Sequence, residues 1–198
     1  MRDELLSLLA ELERFGENND ARNAERPRRM LNITRDTGEF LAVLVRAVGA
    51  RQVLEIGTSN GYSTLWLAEA ARINGGFVTT VERSDYKVTL AKANFARSGL
   101  SAAIRQIHGD ADEVLARAAD ASVDLLFLDS ERAAYAGWWP QFRRVLRPQA
   151  LLVVDNAVSH ASEMAQFCTL VRAEPEWASC LVPVGNGEFL AVKDGARA

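Results

Sequence analysis

The chain has 198 residues, 48% of them hydrophobic and 25% charged, which suits one domain, residues 1–198, around a sizeable core. A net charge of −3 and a pI near 5.5 argue against a general nucleic-acid binder and leave room for a local basic patch. No apolar run reaches the ~18 residues that a membrane span needs, and Met1-Arg2-Asp3-Glu4 lacks a signal-peptide pattern, so a cytoplasmic protein is expected.

Leu5, Leu6, Leu8, Leu9, Leu12 and Phe15 recur at helical spacing and predict an amphipathic helix over residues 3–15, stopping near Gly16. The polar stretch from Glu17 to Arg35 carries Arg22, Arg26, Arg28, Arg29 and Arg35 and is broken by Pro27. A solvated linker is its plain reading. Met30, Leu31 and Ile33 are many apolar residues for a tether, so residues 1–35 also read as a leading helix with a lid-like segment. Asp36 and Glu39 look like a capping box for a helix that Gly49 closes.

Strand–helix alternation begins next, with strands expected at 52–56, 77–82, 103–107, 123–129 and 151–155. Helices are expected between them at 60–72, 84–97, 111–118 and 131–146. This repetition predicts an α/β fold with a mostly parallel sheet and helices on both faces. A helix at 160–172 leads to strand-like runs Cys180–Val184 and Glu188–Val192. Asn186-Gly187 between them signals a hairpin, making the last strand antiparallel.

Chemistry concentrates at strand ends. Val53 to Thr64, VLEIGTSNGYST, reads as a buried strand, a tight turn and a helix, with Glu55 inside the strand and in need of a ligand or backbone donor. Gly57 and Gly61 stand four apart, which is not the dinucleotide spacing G-x-G-x-x-G. Glu82, closing the second strand, can accept both hydroxyls of a ribose. Around His108-Gly109-Asp110-Ala111-Asp112, small residues allow an adenine ring against the backbone, and Asp110 or Asp112 can meet its amino group or cap a helix. Asp129 and Asp155-Asn156 end two hydrophobic strands. Two carboxylates and an amide suit a hard cation, Mg²⁺, Ca²⁺ or Mn²⁺, rather than zinc, although helix capping is the plainer role. Cys168 and Cys180 form no C-x-x-C and read as free thiols.

Together these motifs mark a family. The turn resembles motif I of the class I S-adenosylmethionine-dependent methyltransferases, E-x-G-x-x-x-G. From Leu31 onward the chain resembles the cation-dependent O-methyltransferases of the catechol and caffeoyl-coenzyme A type, through Leu31-Asn32-Ile33 with Gly38, LEIGTSNGYST, Glu82, GDAD, FLDSERAAY and VVDNAV. The resemblance implies a Rossmann-like fold of seven strands and a homodimer. It also implies cofactor contacts from Ile33, Glu55, Gly57, Thr58, Ser59, Ser63, Glu82, Gly109, Asp110, Ala111 and Asp129. Asp129, Asp155 and Asn156 would bind the cation.

The implied reaction is direct methyl transfer from S-adenosylmethionine to a hydroxyl of a small catechol-like or polyhydroxylated aromatic. One departure stands out. Arg132 occupies the place of the family's proposed lysine base, and an arginine can hold an anionic oxygen but cannot accept its proton. His160 is the candidate base, with the first position of the next helix as its plainer role. Tyr135, Trp138 and Trp139 offer an aromatic wall or core packing. The basic segment also admits tRNA as acceptor, and Arg132 admits a cofactor-binding protein without catalysis.

Overall fold

The computed structural model describes residues 3–195. Its centre is a seven-stranded sheet made of β1 (Gln52–Ile56), β2 (Phe77–Glu82), β3 (Ile104–His108), β4 (Val123–Leu128), β5 (Leu146–Val154), β6 (Trp177–Val182) and β7 (Glu188–Lys193). The spatial order is β3-β2-β1-β4-β5-β7-β6. Only β7 runs antiparallel, against both β5 and β6, as the Asn-Gly turn predicts. Order reverses between β1 and β4, so a crevice opens at the carboxyl ends of those strands.

Helices α1 (Asp3–Arg22), α2 (Arg35–Ala47), α3 (Tyr62–Ile73), α4 (Asp85–Ser98), α5 (Ala111–Arg117), α6 (Tyr135–Val145) and α7 (Ala161–Ala173) cover both faces. Strand β4 is buried at every residue, as a central strand with two covered faces must be. Its side chains alternate. Leu125 and Phe127 join the core with Leu41, Leu65 and Trp66, whereas Leu126 and Leu128 join the core with Phe142 and Phe167.

Several boundaries depart from expectation. Helix α1 does not stop at Gly16 but runs to Arg22, burying Leu5, Leu8, Leu9 and Leu12 in the fold's own core. Glycine serves close approach there, since a Cβ would lie 2.4 Å from Asn32 Nδ2, which donates to the Leu12 carbonyl at 3.1 Å. Helix α2 is capped by Thr34, whose Oγ1 accepts from Thr37 N–H, and not by an Asp36–Glu39 box. Asp36 instead accepts from the N–H groups of Thr37 and Gly185, and Glu39 pairs with Arg35. Strand β6 starts at Trp177 and ends before Pro183, which has no N–H to continue a ladder. The expected helix over 131–146 opens as a 3₁₀ turn at Arg132–Ala134 before α6 proper.

Asp124 fixes the far edge of the sheet. Its Oδ2 accepts from the backbone N–H of Arg51 at 2.6 Å and of Gln52 at 2.8 Å, and its Oδ1 meets Arg147 Nε, beside a register shift between Val123 and Leu125. One carboxylate thus joins the starts of β1, β4 and β5. Asp124→Ala is expected to lower the unfolding free energy by about 2–3 kcal/mol, because two strand-end N–H groups lose a charged acceptor. Urea unfolding followed by circular dichroism checks it.

Candidate functional site

A cavity of about 890 Å³ lies along the carboxyl edge of the sheet, from the ends of β2 and β3 past β1 and β4 to the end of β5. Its floor begins at the turn after β1. Gly57 has φ +108°, and a Cβ there would sit 2.1 Å from the Asp129 carbonyl oxygen. Gly61, at φ +89°, starts α3 against the ring of Phe95.

Behind this turn Glu55 is wholly buried. Its carboxylate accepts from Ser63 Oγ at 2.6 Å, Thr80 Oγ1 at 2.6 Å and Thr64 Oγ1. The expected ligand or backbone donor is therefore replaced by three side-chain hydroxyls. Burial pushes this carboxyl from 4.5 up to about 7, against the lowering effect of those hydroxyls.

On the β2–β3 side, Glu82 lines the cavity while accepting from Ser59 N–H at 2.9 Å and Ser84 N–H at 3.0 Å. It ties the turn to the start of α4. Asp110 caps α5 through Asp112 N–H at 3.1 Å, and Gly109, Asp110 and Ala111 all line the cavity.

At the opposite end Asp129 and Asp155 project from β4 and β5 with Asn156 between them. Asn156, at φ +66°, directs Nδ2 to Asp155 Oδ2 at 2.6 Å and Asp129 Oδ1 at 3.3 Å. Burial first, then the carboxylates of Asp155 and Glu55, hold the Asp129 carboxyl well above its ordinary range. Asp155 is raised by burial as well. Arg132 offsets both. It is buried, and its Nε pairs with Glu163 at 2.9 Å.

Sequence reasoning missed Glu188. It reads as an ordinary strand residue, yet it is wholly buried on β7, with Oε1 accepting from Thr37 Oγ1 at 3.1 Å. Asp155 Oδ1 and Glu188 Oε2 are both buried and lack hydrogen-bond donors. Burial, then the Asp155 charge, pushes the Glu188 carboxyl up to about 10, and a carboxyl that holds its proton there can share it with Asp155.

The cavity roof is the segment after α1. Asp20 accepts from Met30 N–H at 2.6 Å and Leu31 N–H at 2.8 Å, Asn19 Nδ2 donates to the Arg28 carbonyl, and Ser59 Oγ donates to the Met30 carbonyl at 2.6 Å. This is a tied strap rather than a solvated linker.

Residues 5–194 match the model of a family described as O-methyltransferase. The chain belongs to the O-methyltransferase family. A protein of Mycobacterium sp. strain JLS named "Putative O-methyltransferase" is 32% identical over 175 residues, covering 82% of this chain and 79% of the relative. A Mycobacterium tuberculosis protein named "Probable O-methyltransferase" is 31% identical over 175 residues, covering 82% and 78%. Among solved structures, the O-methyltransferase from Bacillus cereus in complex with SAH superposes with a TM-score of 0.78 at 26% identity, over 98% of this chain and 92% of that one. The O-methyltransferase TomG from Streptomyces achromogenes, in complex with SAM, gives 0.79 at 26%, over 98% and 92%.

Eleven of the residues singled out by sequence line this methyltransferase's cavity: Gly57, Ser59, Glu82, Gly109, Asp110 and Ala111 toward β2 and β3, and Asp129, Arg132, Asp155, Asn156 and His160 toward β5. Ile33, Glu55, Thr58 and Ser63 stand behind its wall. Of the aromatic trio, Trp138 lines the cavity, Trp139 packs in the core with Nε1 donating to Glu174, and buried Tyr135 accepts from Ser130 N–H at 2.7 Å. His160 is the N-cap residue of α7, without a side-chain cap bond, and its Nδ1 meets Ser159 Oγ at 2.9 Å.

Because the folded state raises Glu55 from 4.5 to about 7, its contribution is fully present below pH 4.5 and lost as pH rises through 7. Wild type should therefore lose about 3 kcal/mol relative to Glu55→Gln across that window, at about 1.4 kcal/mol per unit, as read by denaturant melts at stepped pH. Glu188→Gln, which keeps a neutral donor, should stay within about 1 kcal/mol of wild type in urea unfolding at pH 7. Glu188→Leu, which strands Thr37 and Asp155, should cost about 1–3 kcal/mol.

Proposed function

We propose that this chain transfers a methyl group from S-adenosylmethionine to a hydroxyl of a small catechol-like or polyhydroxylated aromatic, assisted by a divalent cation, with Mg²⁺ the first choice. Residues 1–198 would act as one methyltransferase domain, with residues 1–35 as leading helix and lid-like strap. The observation that carries this reading is the convergence of Asp129, Asp155 and Asn156 at one end of the cavity whose other end holds Gly57, Glu82 and Ala111.

The two ends suit two different ligands. Gly57 and Ser59 would take the amino-acid part of the cofactor, Glu82 the ribose, and Gly109 to Ala111 the adenine. Support comes from the relatives solved with SAH and with SAM. When bound, the cofactor supplies an electrophilic methyl group.

For the cation, the donor chemistry fits. Among the described residues no group of three His, Cys, Asp or Glu side chains forms a complete cage. Two carboxylates and one carboxamide nevertheless make an oxygen-rich partial set of the kind a hard cation completes with water or acceptor oxygens. Asp155 Oδ1, buried without a hydrogen-bond partner, is consistent with it. The amide now directs nitrogen to both carboxylates, and a half-turn would present its oxygen instead. A cation held there would favour the ionised form of an acceptor hydroxyl.

The chain's own side chains would do the rest. Trp138 and Met30 would flank a planar ring and exclude water, and alignment of acceptor oxygen with methyl carbon would supply most of the rate. Arg132, held by Glu163, would stabilise the carboxylates and take no proton. His160, on the same wall, would receive the acceptor's proton.

Radiolabelled methyl transfer to dihydroxyphenols with Mg²⁺ tests this. Chelator, or Asp155→Ala, should lower turnover by about a hundredfold or more, with S-adenosylhomocysteine affinity retained in calorimetry. Activity surviving both would remove the cation from the reaction. Methylation of bulk tRNA and of no phenol would overturn the acceptor.

A further inference from the structure

The cavity is more charged than a neutral phenol needs. The strap contributes Arg26 and Arg29, facing a wall that already contains Arg132 and His160. Among the described residues neither Arg26 nor Arg29 makes a side-chain hydrogen bond or ion pair, although Arg28 beside them pairs with Glu25. Arg29 Nε is sealed from solvent and has no acceptor at all. A guanidinium N–H withdrawn from water without a partner is costly, and the cost is recovered when an anion docks on it.

Arg26 reaches both walls of the cavity. Its charge is felt at Lys87 on α4 and at Glu163 on α7, and the latter carboxylate is the partner of Arg132. The strap itself is immobilised from below by Asp20 and Ser59, so its guanidiniums are held over the cavity rather than swinging in solvent.

Resting on the methyl-transfer reading above, we propose that the natural acceptor is an aromatic acid, whose carboxylate docks on Arg29 with Arg26 beside it while its hydroxyls face Asp129 and Asp155. A planar guanidinium can grip a carboxylate through two parallel N–H bonds, fixing the ring's direction as well as its affinity. Selectivity would then reside in the strap and chemistry in the sheet edge.

The test uses the full chain saturated with S-adenosylhomocysteine and Mg²⁺, titrated calorimetrically with 3,4-dihydroxybenzoate, catechol and 3,4-dihydroxybenzylamine. Wild type should bind the benzoate about tenfold or more tighter than catechol. Arg29→Gln should shrink that ratio to about threefold or less, and Arg29→Glu should move preference to the benzylamine. The affinity for S-adenosylhomocysteine should change by less than about threefold in both. Equal binding of benzoate and catechol by wild type, or a ratio unmoved by both variants, would overturn the proposal. So would a tenfold loss of S-adenosylhomocysteine binding, which would assign the guanidinium to the cofactor's own carboxylate. If these binding shifts occur but no dihydroxyphenol is methylated, the acceptor site stands and the catalytic reading falls.

Discussion

Three hydroxyls from two elements close on one buried carboxylate: Ser63 and Thr64 from α3 and Thr80 from β2 all donate to Glu55. A carboxyl sealed inside a sheet tolerates no loose neighbour, since each lost donor leaves a polar group in a low-dielectric interior. The strand, the first turn of α3 and the middle of β2 are therefore held in one register. Thr58 Oγ1, 2.5 Å from Thr80 Oγ1, extends the same network into the turn. Gly57 and Ser59 face the cavity because this knot behind them fixes where the turn goes.

From that fixed point the site divides by charge. Toward β2 and β3, Glu82 has its carboxylate satisfied by backbone N–H groups of the turn and of α4. Toward β5, the buried Asp155 charge acts on Asp129, and Arg132, Lys87 and the Asn156 amide relieve the pair in part. One end is thus electrostatically settled. The other is left anionic and under-compensated, which is the condition under which a cation adds stability rather than competing with protein donors.

What could be read from sequence follows how local the cause was. Gly57 and Gly61 were legible because a turn of this kind needs positive φ at glycine, and Asp129 and Asp155 were legible because hydrophobic strands deliver their terminal residues to one edge. The parallel order and the antiparallel last strand came from alternation and from Asn186-Gly187. Gly16 misled, since nothing nearby in sequence announces that Asn32 will pack on the α1 backbone. Glu188 was invisible for a related reason. Its significance depends on Thr37, far upstream, and on the β5–β7 register that brings Phe189 opposite Val154, one residue short of Asp155.

The strap shows how far such distant contacts reach. Asp20, on the part of α1 that was expected to be linker, accepts the two N–H groups that would otherwise leave Met30 and Leu31 unanchored, and Leu31 sits at φ +51° as a result. That left-handed conformation at a branched apolar residue costs about 1–3 kcal/mol and persists only because surrounding bonds impose it. Ser59 then joins the strap to the cofactor turn through the Met30 carbonyl. The segment carrying the unpaired arginines is thereby coupled to the same turn that Glu55 holds from below. Roof and floor are thus joined through adjacent residues of one turn, Thr58 bonded to the knot below and Ser59 to the strap above, so under the proposed reading strap side chains would tune the acceptor while the strap backbone stays tied to the turn.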